Sequence, residues 1–313
     1  MALTKMVKVS GWGKLLRGVC VSLSFLSLPL LATERTHSSH QVVQSSSCVA
    51  SGSWLSPGEE GSIDEVVLLE RTVANRVVLL GEHHDNQAHH DWQLRMLQLL
   101  HQKQPQLVMG LEMLPKVAQP KIDRFLQGKT TIETFLKEVE WQRYWSFSAD
   151  YYAPLLKYAR DKKIPVVALN VTRDKVEAAV EQGWGAVPVG MTQPAQPTRP
   201  YLRHLISSFQ RHQFPGAELH IEIEGPAFRR FVQKQLLWDR AMAEGVRAQL
   251  DAPQRAPLVV AFIGSGHLMY DFGVPHQLQS LGIEKVMTMI PWDSHLDCSV
   301  LKKGFADIVY GAE

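Results

Sequence analysis

Two apolar, strand-like runs in this 313-residue chain each stop at a glycine and present a histidine three residues later. Val77–Leu80 leads into Gly81-Glu82-His83-His84, and Leu258–Ile263 leads into Gly264-Ser265-Gly266-His267. Between them, Leu107–Leu111 ends at Glu112 and Val166–Leu169 ends at Asn170. Imidazole nitrogens beside a carboxylate can ligate a divalent metal or a porphyrin iron, or move protons as general bases. The spacing alone is weak: 21 glycines and 13 histidines give about one G-x-x-H match by chance, and a third copy, Gly273–His276, follows no strand. The signal lies in the context, because ligands of parallel sheets sit beyond the carboxyl ends of the strands.

The first strand end is dense in candidates. His83, His84, His89 and His90 fall within eight residues, together with Glu82 and Asp85. They read either as a metal or metalloporphyrin site or as a solvated loop in which Asp85 caps a helix beginning near Asn86. His83 and His90 read as bystanders. Glu112 alone is a site residue or an exposed turn residue; two histidines arriving at the same edge favour the site. Asn170 positions a ligand, holds backbone or simply turns the chain. The segment Trp141–Tyr152 carries six aromatic side chains. These read as core packing, or as a flat wall for a planar ligand with Tyr144 or Tyr151 offering a tyrosinate. Asp239, next to Trp238, reads as a partner orienting a histidine or as a helix-surface residue.

The elements that must position these residues alternate along the chain. Strand-like runs at 77–80, 107–111, 166–169, 258–263 and 286–290 are separated by helical patterns, with Ile308–Tyr310 as an edge strand. Runs without polar alternation predict strands buried on both faces. The alternation predicts an α/β fold, a mainly parallel sheet flanked by helices. From about 194 to 250 only helical patterns occur, which predicts a helical insertion over the carboxyl edge of the sheet.

Composition narrows the function. A net charge of +2 gives no broad electrostatic surface for nucleic acid, which is excluded as a partner. Lys5, Lys8, Lys14 and Arg17 precede the apolar stretch Val19–Leu31, and Ala32 follows. This pattern predicts a signal peptide over 1–32, hence an exported protein, periplasmic or membrane-associated. No cysteine stands just after the apolar stretch to take a lipid. Residues 33–61, rich in Ser, Gln, Gly and His, read as a flexible leader, and 62–313 as the folded body. Removal of Cys20 with the signal would leave Cys48 and Cys298, which an oxidising compartment could pair.

Taken together, the blocks resemble the ChaN-like family of haem-binding, often lipidated, exported bacterial proteins. The matching stretches are G-E-x-H-D-N with the following H-H (Gly81–His90), G-L-E-M (Gly110–Met113) and A-L-N (Ala168–Asn170). Q-x-x-W-D-x-x-M-A (Gln235–Ala243) and G-x-G-H followed by G-V-P (Gly264–His267, Gly273–Pro275) complete the set. The resemblance implies a haem-binding α/β domain in iron acquisition, with a homodimer and an outer-membrane haem receptor as candidate partners. His84, His89, Glu112, Asn170, Asp239 and His267 are its candidate haem-site residues. It implies a tyrosine as iron ligand, which the motifs do not assign among Tyr144, Tyr151, Tyr152 and Tyr270. The family is similar to a wider superfamily that includes erythromycin esterases and metalloproteases with two G-x-x-H motifs and a glutamate. The alternative it opens is a hydrolase in which His84, Glu112 and His267 hold a divalent metal such as zinc, or a histidine acts as base, with Glu82 or Glu112 polarising water. No G-x-S-x-G or H-E-x-x-H is present to support the commoner hydrolases.

Overall fold

Every side chain of β2 (Val77–Leu80) and β5 (Leu258–Phe262) is buried, as expected of strands covered on both faces. In the computed structural model these two strands lie in the middle of a seven-stranded sheet of order β1-β7-β6-β2-β5-β3-β4. The remaining strands are β1 (Trp54–Leu55), β3 (Leu107–Pro115), β4 (Val166–Asn170), β6 (Val286–Asp293) and β7 (Ile308–Ala312). All neighbours run parallel except β1, which pairs antiparallel with β7. The structure describes residues 48–182, 187–188, 190–213, 225–252 and 257–312. The signal peptide expected over 1–32 and the leader as far as residue 47 lie outside them.

Alternation along the strands sorts the core into two layers. On one face, Val78, Leu80, Leu111, Val260 and Phe262 pack against α2 (Gln87–Lys103), α3 (Gln119–Leu126) and α6 (Ala153–Asp161), through Trp92, Met96, Phe125 and Leu156. On the other, Val77, Leu79, Val259 and Ala261 pack against α9 (Pro226–Asp251) and α10 (Val274–Ser280), through Met242, Val246, Val274 and Leu278. Between these helices in sequence come α4 (Ile132–Glu138), α5 (Trp141–Tyr144), α7 (Arg173–Gln182) and α8 (Arg199–Gln213), while α1 (Glu65–Val73) precedes them all. The stretch expected to be a helical insertion contains α8 and α9.

Several boundaries differ from the sequence reading, each for an identifiable reason. β3 continues through Glu112 to Pro115, with an irregular register against β4 between Leu111 and Pro115, so Glu112 lies within the strand and not after it. β6 runs on through Pro291 to Asp293 because its partner β7 extends beside it. β7 is not the edge: β1 covers it, and Tyr310 packs 4.5 Å from the Trp54 ring. Asn86, not Asp85, caps α2, accepting from the backbone N–H of Ala88 and His89. The folded body thus reaches back into the segment read as leader, to a disulfide between Cys48 and Cys298.

That disulfide closes a loop of 250 residues and pins the short β1 to the far edge of the sheet. Cys298→Ser is expected to lower unfolding free energy by about 2–5 kcal/mol in a urea titration, with the sheet and helix content unchanged at low denaturant.

Candidate functional site

Four adjacent strands deliver one polar group each to the carboxyl edge of the sheet. His84 follows β2, His267 follows β5, Glu112 lies in β3 and Asn170 ends β4. Because β5 separates β2 from β3, the backbone after β5 passes between His84 and Glu112. Gly264 makes that passage fit. A Cβ there would lie 2.6 Å from His84 Cε1 and 3.6 Å from Glu112 Oε2. The Gly264 N–H instead donates to Glu112 Oε2 at 2.6 Å, fixing the carboxylate. Asn170 donates through Nδ2 to the Glu112 carbonyl at 3.2 Å, so it holds the backbone beside that carboxylate.

Both histidines are backed by a fully buried carboxylate. His84 Nδ1 lies 2.8 Å from Glu82 Oε1. His267 Nδ1 lies 2.5 Å from Asp239 Oδ1. An ionised carboxylate only accepts, so each Nδ1 carries a proton and each Nε2 is the nitrogen left to face the site. His267 Nε2 is 3.6 Å from Glu112 Oε1. His84 keeps 27% of its side-chain surface exposed and His267 17%, whereas Glu82 and Asp239 keep none.

The charges follow from this burial. Burial pushes His267 down, but the Asp239 carboxylate and, more weakly, Glu112 push it up to about 9, so it is an imidazolium at neutral pH. Burial likewise lowers His84, and its bond to Glu82 with the charges of Glu112 and Glu82 raises it above the ordinary histidine value. Burial raises Glu82, but its bond to His84 and the charge of His90 outweigh this and leave it below the usual carboxylate value.

Two further residues complete the Glu82 end: Tyr152, one of the four tyrosines left open, and His90. The Tyr152 hydroxyl donates to Glu82 Oε1 at 2.6 Å; burial and the carboxylate hold that phenol protonated. His90, read as a bystander, is buried on the first turn of α2. Its Nδ1 lies 3.7 Å from Glu82 Oε2, its Nε2 donates to the His84 carbonyl at 3.2 Å, and its ring stacks on Tyr151. The aromatic segment splits between its two readings. Trp141 and Tyr152 are core, while the half-buried Trp145 and Phe147 flank the His84 ring at 4.6 and 4.8 Å.

Other candidates lie apart. His89 is buried facing Asp293 and not His84: its Nε2 is 3.0 Å from Asp293 Oδ1, and its Nδ1 accepts from the His83 N–H at 2.9 Å. His83, half exposed, brings Nδ1 within 3.4 Å of Asp293 Oδ2. His83, His89 and Asp293 thus gather three donor atoms within 4.8 Å of one another. The accepted bond at Nδ1, however, places the His89 proton on Nε2, the nitrogen a metal would need. The trio therefore reads as a hydrogen-bonded tie between the loop after β2 and the end of β6. Tyr144 lies under the Arg143 guanidinium, and Tyr270 packs edge-on to Phe305 with its hydroxyl toward the Val300 carbonyl, so neither joins the cluster.

Comparison with known proteins fits this geometry. The family model described as haem-binding uptake, Tiki superfamily, ChaN matches residues 68–278, two thirds of the chain. The chain belongs to the ChaN family of haem-binding uptake proteins. ChaN of Campylobacter jejuni, solved in a study of cofacial haem binding, superposes with a TM-score of 0.64 at 19% identity. The match covers 82% of this chain and 95% of that one, so the two share a fold. The erythromycin esterase EreC matches with a TM-score of 0.43 at 12% identity, over 77% of each chain. No curated protein matches.

The raised His267 has a definite pH signature. Its folded pKa stands above the unfolded value, so its stabilisation is complete below about pH 6.5 and is lost as pH rises through about 9. Urea unfolding of wild type and His267→Gln should therefore differ most near pH 6. The gap should narrow by up to about 3 kcal/mol by pH 9.5; a constant gap would contradict the ion pair with Asp239.

Proposed function

We propose that this ChaN-family chain is an exported haem-binding protein of iron acquisition, with His84 as the side chain that meets the iron. The observation that carries this reading is the setting of His84. Its Nδ1–H is tied to Glu82, its Nε2 is the free nitrogen, and Trp145 and Phe147 stand against its ring. An imidazole nitrogen between aromatic faces fits a flat, apolar macrocycle with a metal at its centre. Haem bound there would supply an iron centre. The chain's own residues orient the imidazole and exclude water from its buried side.

Two of the tyrosines are unsuited to a phenolate at this position. All seven are among the described residues. The two tied into the cluster, Tyr152 and Tyr201, both donate to buried carboxylates and are held protonated. Tyr151 is half-buried against His90 at the edge of the cluster, and Tyr144 and Tyr270 are half-buried away from it. Export draws support from the Cys48–Cys298 disulfide, which belongs to an oxidising compartment, and from the basic and apolar start of the chain. Docking to an outer-membrane receptor and a homodimer around haem belong to the same proposal.

One arrangement favours a second reading. Two carboxylate-backed imidazoles beside Glu112 are also what a metal-assisted or general-base hydrolase needs. The haem reading ranks first because the family is one of haem binding and the aromatic pair stands beside His84.

Haemin titration of the purified protein is expected to give a saturable Soret shift. His84→Ala should weaken it at least about tenfold, while Tyr144→Phe, Tyr151→Phe and Tyr270→Phe leave it intact. No saturable shift, or loss with a tyrosine variant and not with His84→Ala, would overturn the ligand assignment. Light scattering at saturating haemin reads the dimer. Ester or peptide turnover abolished by chelation and by Glu112→Gln would favour the hydrolase.

A further inference from the structure

Asp239 is fully buried and uses each carboxylate oxygen once. Oδ1 meets His267 Nδ1, and Oδ2 accepts from the Tyr201 hydroxyl at 2.6 Å. The two donors come from different elements: His267 from the loop after β5, Tyr201 from the first turn of α8. A carboxylate gripped at both oxygens has a fixed plane, and that plane sets the plane of the imidazole bound to it. Tyr201 is itself buried, stacks on Phe272 at 5.1 Å, and is held protonated, so it can only donate here.

The loop that carries His267 needs holding. Tyr270 and Asp271 both have left-handed backbone, at φ 60° and 56°, and Gly273 at φ 61° lies so close to the His267 carbonyl that a Cβ would collide with it. Consecutive non-glycine residues in this region are strained and persist only where their surroundings impose them. What imposes the conformation at its His267 end is Asp239 on α9. What fixes Asp239 is Tyr201, and Tyr201 stays in place because α8 is docked: Leu205 and Phe209 pack on Phe228, Val232 and Leu236 of α9.

We propose that Tyr201 is a positioning residue of the site: through Asp239 it fixes the Nδ1–H bond and the ring plane of His267, so that docking of α8 determines whether Nε2 faces Glu112. A segment remote in sequence thereby controls the second histidine of the site. The importance of this link rests on reading the His84–Glu112–His267 cluster as the ligand site. Its test contains no haem, so it can fail while haem binding stands, and the reverse.

The full chain labelled with nitrogen-15 histidine is observed by NMR, and the His267 Nδ1 proton is identified by its loss in His267→Gln. In wild type it should be strongly deshielded and slow to exchange with water. Tyr201→Phe keeps the ring and removes only the hydroxyl; it should speed that exchange about ten- to a hundredfold, with amide protection of β2 and β5 unchanged. Exchange within twofold of wild type, or a wild-type proton too labile to observe, would overturn the proposal. Should Tyr201→Phe fail to fold, Leu205→Ala loosens α8 one turn on. The proposal then requires His267 exchange to rise with that of the α8 amides, and an unmoved His267 beside an opened α8 would refute it.

Discussion

Two buried carboxylates, each gripped by an imidazole, are the constraint on which the site depends. Glu82 and Asp239 are wholly removed from water, and an isolated charge in that position costs several kcal/mol or more. Each is stabilised by a histidine Nδ1–H and by a tyrosine hydroxyl, Tyr152 on one side and Tyr201 on the other. The same bonds that make the carboxylates tolerable fix the ring orientation of His84 and His267. Stability of the charges and direction of the two Nε2 atoms are therefore one requirement, met once at each histidine.

The sheet makes this pairing possible by geometry. Strands β2, β5, β3 and β4 are neighbours and parallel, so their carboxyl ends fall side by side although they come from distant parts of the chain. Glycine at 264 lets the backbone pass between His84 and Glu112 and spends its N–H on the carboxylate. Helix α9, packed on one face of the sheet, brings Asp239 to His267. Both carboxylate supports thus come from elements that are themselves anchored by apolar packing, which is what keeps a preorganised site rigid.

Much of this arrangement was legible in the chain because a doubly buried parallel strand announces itself as an unbroken aliphatic run, and its end is where polar residues must appear. That logic put His84, Glu112, Asn170 and His267 at one edge, whereas Asp239 as a histidine's partner was one of two readings of its place beside Trp238. It did not reach Tyr152 or Tyr201, whose carboxylate partners are 70 and 38 residues away and whose surroundings in sequence resemble ordinary helix starts. His90, read as a bystander, is buried on α2 with Nδ1 3.7 Å from Glu82 Oε2, a contact that depends on how α2 lies on the sheet and not on a local pattern. Strand β1 was invisible for another reason: two residues in a Ser- and Gly-rich stretch have no pattern of their own and exist through pairing with β7 and the nearby disulfide.

The central claim is that His84, Glu112 and His267 form a single site whose geometry is set by close backbone approach at Gly264. Haemin affinity of Gly264→Ala tests it most directly, because a Cβ there lies 2.6 Å from His84 Cε1 and forces that ring aside while leaving every polar side chain in the chain. The account predicts affinity reduced at least about tenfold, with circular dichroism and thermal unfolding of a folded protein. Wild-type affinity in a folded Gly264→Ala protein would show that haem is held elsewhere and would contradict it.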